Sequence, residues 1–141
     1  VENGKDICSG IYHQWKEGKV VPLAFSRTKE GSSKKYETYD ETNPNDVIEI
    51  GVVGTGCLLI HKRVFGILKK PYFEFILGDN GLNMLSEDFH FCEKAQDAGL
   101  KVWLDRKIVA HHMKVMDLNS MVIWKNREVN LGIKKSKGEI I

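Results

Sequence analysis

Short β-prone runs alternate with one strongly signalled helix along this chain, and that alternation limits the folds open to it more than any other feature. Val47-Ile48-Glu49-Ile50-Gly51-Val52-Val53 has the pattern of a buried strand and runs through Gly54-Thr55-Gly56 into Cys57-Leu58-Leu59-Ile60. The two glycines allow a tight turn or a close approach of the backbone to a ligand. Ser86-Glu87-Asp88-Phe89 reads as a helix start. Serine can cap, two acids occupy the first turn, and Phe89, Cys92 and Ala95 follow on one face until Gly99.

Around these anchors the weaker signals fall into place. Asp6 to Tyr12 and Val20 to Phe25 are β-prone runs separated by the polar turn Lys16 to Lys19, which predicts a hairpin or a pair of edge strands. His61 to Leu68 has helical spacing and is ended by Pro71. Pro71 to Phe75 reads as a strand and Gly78 to Asn83 as a loop. Lys101 to Leu104 and Ile108 to His112 read as two strands about the turn Asp105-Arg106-Lys107. The stretch from Asp117 to about Asn130 has apolar residues at helical spacing, and Lys134 to Gly138 is a polar fray. Residues 26–46 are rich in Gly, Ser, Lys, Glu, Thr, Asn and Pro, the composition of an exposed, mobile loop. The whole predicts an α/β fold, a mixed sheet flanked by helices, in a single domain spanning 1–141.

Composition excludes several classes of function. A net charge of +2, spread evenly along the chain, supplies no electrostatic footprint for nucleic acid. Cys8, Cys57 and Cys92 are odd in number and widely spaced, which suits neither a disulfide framework nor a zinc site and points to a reducing, cytoplasmic setting. No apolar run approaches the roughly 20 residues of a transmembrane helix.

Three features carry the candidate chemistry: the Gly54-Thr55-Gly56 turn, the Glu87-Asp88 pair and the His111-His112 pair. Each has a structural reading, as a turn, a helix cap and a hydrogen-bonded strand residue respectively. Their order and surroundings add weight. Val53 to Phe65, Pro71 to Phe75, Ser86 to Cys92, Ala98 to Asp105 and Ile108 to His112 together resemble the C-terminal half of family 2 and related GT-A glycosyltransferases. The resemblance covers about residues 6 to 112 and is most specific from Ser86 to Asp105.

The resemblance implies that Asp88 is the general base that takes the proton of an acceptor hydroxyl, and that Glu87 helps hold the acceptor. Gly54, Thr55 and Gly56 would line the sugar-donor pocket. His112 would complete a site for Mn²⁺ or Mg²⁺ bridging the donor diphosphate. His112 is favoured over His111 because Ile108, Ala110 and His112 share one strand face and because the count from Asp105 gives the separation usual in that family. Trp103 and Asp105 read as packing and turn residues. The donor would be a nucleotide sugar and the acceptor a saccharide, lipid or protein, with peripheral membrane association open for the full-length protein.

The sequence departs from that family in lacking an Asp-x-Asp motif. Asp6 to Gly10 resembles the strand that follows the motif, so the nucleotide-binding half is expected upstream, and the fragment alone is expected to be inactive. The competing expectations are a non-catalytic binding module, in which the acids and histidines are structural, and a metal-dependent hydrolase. The hydrolase is disfavoured by the absence of H-x-H or H-x-x-x-H spacing.

Overall fold

A computed structural model describes residues 5–16, 18–28, 35–123 and 125. The architecture is mixed α/β, built on several small sheets. The central four-stranded sheet has the order β6-β11-β1-β8, formed by Val47–Ile50, Val102–Val109, Ile7–Ile11 and Leu58–Ile60. β1 runs parallel to β11 and antiparallel to β8, while β6 runs antiparallel to β11. β1 and β11 are therefore paired on both sides, and their inward residues Ile7, Val102 and Leu104 are fully buried. The apolar character of both runs fits that position.

α2, Glu87–Asp97, lies against β11 and the short strand β7, Val52–Val53. It buries Cys92 and Ala95 as their spacing predicts, but the third fully buried side chain is Phe91, and Phe89, expected on that face, is only partly covered. Cys92 Sγ sits 3.7 Å from the carbonyl of Val53. Burial pushes the Cys92 thiol up to about 11. Ser86 occupies the N-cap position with extended backbone, but its hydroxyl makes no capping bond. The two acids of the first turn are left to meet the helix dipole alone.

Several local expectations change once tertiary contacts are present. The first hairpin joins β2, His13–Lys16, to β3, Lys19–Pro22, so β1 belongs to the central sheet instead. Residues 71–75 are not a strand. Tyr72 packs edge-on against Phe65 of the one-turn helix α1, Val64–Ile67, and Phe73 stacks on Phe91 of α2 at 4.4 Å. Aromatic packing against helices thus displaces sheet pairing. The hairpin follows, as β9, Ile76–Leu77, and β10, Asn83–Leu85.

Within the expected loop of 26–46, β4, Ala24–Arg27, pairs with β5, Tyr36–Thr38. Tyr36 donates to Glu93 of α2 at 2.8 Å and sets its ring edge against Phe89, while Tyr39 is buried. Residues 29–34 of that loop lie outside the described residues, as do 126–130 of the expected C-terminal helix and the fray at Lys134 to Gly138. Residues 118–123 are helical. No helix among the described residues is long and apolar enough to cross a membrane.

The expected turn at Asp105 to Lys107 lies within β11, at the point where its regular pairing with β6 and β1 ends at Asp105 and residues 106–108 bulge past β1. The irregularity appears in the pairing register, which jumps from Gly10↔Asp105 to Ile11↔Val109. A side chain at residue 10 would meet the carbonyl oxygen of Ile108 at 2.6 Å, so glycine is what lets the bulged backbone close on β1. The jump carries β1 into Tyr12 and carries β11 into the histidine pair.

Candidate functional site

Asp88 lies in the first turn of α2, with its side chain half-buried. Its burial raises the carboxyl above the ordinary carboxylate value, the hydroxyl and amide of Thr55 pull it back, and the charge of Glu87 adds to the rise. The Oδ1 atom is buried with no hydrogen-bond partner. The donors of Thr55 favour the ionised carboxylate without meeting that oxygen, so the desolvation cost stays uncompensated there. A raised carboxyl suits a base, because basicity grows with pKa.

Thr55 belongs to a short 3-10 turn, Thr55–Cys57, between β7 and β8. The flanking glycines serve an internal purpose. The Gly56 amide donates to the hydroxyl of Tyr12 at 2.9 Å. A Cβ at Gly54 would stand 2.1 Å from that hydroxyl, and one at Gly56 would meet the ring carbon that bears it at 2.9 Å. The space left by the missing side chains is thus filled by the Tyr12 phenol. A further backbone relay ties the two segments: Leu23 N donates to Tyr12 O at 2.9 Å, and Gly54 N donates to Leu23 O at 3.0 Å.

Tyr12 was not singled out by sequence reasoning as more than the end of a strand. The available signal was a large aromatic directly after the β-prone run, with a glycine pair elsewhere that needed a reason for its missing side chains. Tyr12 is buried, and burial, with the nearby charge of Asp88 contributing, pushes its phenol up. It therefore stays neutral.

The histidines lie past the end of β11, so the alternation of strand faces invoked for choosing between them does not apply. A different contact separates them. His112 Nδ1 lies 3.0 Å from the carbonyl oxygen of His13, which can only accept, so Nδ1 is the donor of that bond and Nε2 is the outward nitrogen. The His112 ring also meets the Tyr12 ring edge-on, with centroids 5.8 Å apart. His111 forms no corresponding bond among the described residues. A groove of about 590 Å³ opens beside this end of the sheet, with His13, Glu41, Asn43 and Arg106 among its walls.

The fold thus joins Asp88, Thr55, Gly54, Gly56 and His112 through Tyr12. Glu87 reaches Asp88 through its charge. Trp103 is half-buried with Lys5 and Lys101 over its ring, and the core positions of that strand fall to Val102 and Leu104. Asp105 accepts from the Lys107 amide at 3.0 Å within the strand.

An imidazole whose Nδ1–H is fixed by a backbone carbonyl has the form of a metal ligand with its outer nitrogen oriented. His112 fits that role as one donor. No group of three or more His, Cys, Asp or Glu side chains converges on a common point among the described residues. No protein-family model matches the sequence, and no curated protein matches it.

Proposed function

We propose that this chain is the acceptor-side, catalytic part of a GT-A glycosyltransferase that moves a sugar from a nucleotide donor to an acceptor hydroxyl, with Asp88 as general base and inversion as the outcome of direct displacement. The observation that carries the reading is the half-buried Asp88 carboxyl, raised by burial and set against Thr55 of the glycine turn. A sugar hydroxyl is a poor nucleophile at neutral pH, and a positioned carboxylate that accepts its proton as the new bond forms contributes about 10²–10⁴-fold in rate.

The other parts take supporting roles. Thr55 orients the base, and Glu87 raises its basicity and faces the acceptor. Gly54 and Gly56 serve through the Tyr12 contact, a different role from direct donor lining. Mn²⁺ or Mg²⁺, when bound, would neutralise the charge that develops on the departing diphosphate. His112 would contribute Nε2 to that ion.

The alternative, a non-catalytic binding module, makes Asp88 a plain helix cap. The helix dipole alone would favour the ionised form of a first-turn acid, whereas burial is the leading influence on Asp88 and raises its carboxyl, which is the feature the base reading uses. The test is Asp88→Asn in the natural polypeptide, assayed for transfer from uridine and guanosine diphosphate sugars with and without divalent metal. Transfer should vanish while calorimetric donor binding persists. Unchanged turnover, or no metal-dependent heat with the unsubstituted protein, defeats the proposal.

A further inference from the structure

We propose that Tyr12 is the positioning residue of this site, one side chain that sets both the turn presenting Thr55 to Asp88 and the ring orientation of His112. Two separate parts of the residue do the two jobs. The hydroxyl accepts the Gly56 amide and occupies the space above Gly54, which fixes the turn on which Thr55 stands. The ring supplies the edge contact to His112, and the next residue along the chain supplies the carbonyl that holds His112 Nδ1. Because Tyr12 is 7% exposed and its own carbonyl is bonded to Leu23 N, it has little freedom to move independently of either neighbour.

This division makes the proposal separable by substitution. Tyr12→Phe keeps the ring and removes the hydroxyl. The Gly56 amide loses its acceptor, the turn loosens, and the restraining donors of Thr55 retreat from Asp88. Tyr12→Leu removes the ring as well, so His112 should lose its orientation in that variant alone. The residue acts through Asp88 and His112 and need not touch substrate. A displacement of the reacting groups by about 1 Å can cost on the order of 10²-fold in turnover.

The experiment is NMR on the chain with and without the substitutions, following the Asp88 carboxyl carbon against pH and the ring nitrogens of His112 at fixed pH. Tyr12→Phe should move the Gly56 amide resonance and raise the midpoint of the Asp88 titration while leaving His112 unchanged. Tyr12→Leu should move both, and in the natural polypeptide kcat should fall more than KM rises for either variant. If Tyr12→Leu does not fold, Gly54→Ala displaces the phenol from the opposite side and should reproduce both shifts. An unmoved Asp88 midpoint in folded Tyr12→Phe, or unmoved His112 resonances in Tyr12→Leu or Gly54→Ala, overturns the proposal. The meaning for turnover rests on reading Asp88 as the base. Both couplings in an unsubstituted protein that transfers nothing would overturn that reading and leave the Tyr12 linkage standing.

Discussion

The protonation of Asp88 has a signature in stability that needs no substrate. Consider Asp88→Asn, with the difference in unfolding free energy between variant and parent measured by urea denaturation at several pH values from about 4 to 7.5. In the parent, burial raises the carboxyl above its unfolded value of 3.8. The folded state therefore holds the proton more tightly than the unfolded state, and stability must fall as pH rises through the interval between the two values. Above the folded value the penalty is constant. A carboxylate oxygen buried without a donor costs about 1–3 kcal/mol, and solvent access to the rest of the side chain places Asp88 at the low end. Asparagine carries no such charge, so the advantage of the variant should grow with pH and level off near neutrality. Against this stands the loss of a helix-dipole contact, about 0.3–1 kcal/mol. That loss grows with pH in the opposite sense, because only the ionised acid benefits from the dipole. The sign of the pH slope therefore decides which effect dominates. A variant that becomes relatively less stable with rising pH would refute the desolvated-base assignment and leave Asp88 as a cap.

Three further outcomes follow from the same contacts. Gly54→Ala places a Cβ 2.1 Å from the Tyr12 hydroxyl and should cost about 1–3 kcal/mol, much of it recovered when Tyr12→Phe removes the clashing atom; additive costs in the double-mutant cycle would contradict the contact. Arg63 donates twice to Asp6 and holds that carboxyl below its ordinary range, so Arg63→Gln should destabilise the protein at neutral pH. Since the folded value is depressed, that difference should be present above about pH 4 and fade in stronger acid, and a loss that persists unchanged there would exclude the ion pair as its source. Cys92, buried and pushed up to about 11, should resist thiol reagents in the folded protein while partly exposed Cys57 reacts; a Cys92 modified as fast as Cys57 would contradict its burial.

What could be read from the sequence depended on whether the deciding contacts were local. The α2 face formed by Cys92 and Ala95 and the strand at 58–60 carry their own periodicity and lie where it places them, whereas the run 47–53 breaks at Gly51 into β6 of the central sheet and β7, which pairs with β4 in a separate sheet. The segments at 71–75 and 105–107 do not follow their local signals. The first is drawn off by Phe91 and Phe65, and the second becomes the bulged stretch of β11, where the register on β1 jumps from Asp105 to Val109. Tyr36 and Tyr39 likewise order part of a polar stretch whose composition promised only a loop.

The site shows the same division. Asp88 and His112 could be nominated from residue type and order, yet the reason to prefer His112 over His111 rested on a strand that stops at Val109. What distinguishes the two rings in the structure is the contact of His112 with the carbonyl of His13, 99 positions away in sequence. The glycines were legible as places where side chains had to be missing, although the occupant of that space was not. Tyr12 is 44 positions from Gly56, and the bulge at Gly10 brings it there. A glycine pair in a strand-to-strand turn therefore poses a question about what approaches it, and here an internal phenol answers before any ligand does. Whatever approaches this turn from outside meets the exposed side of Thr55, because the space that side chains would take at Gly54 and Gly56 is already held by the buried Tyr12 phenol.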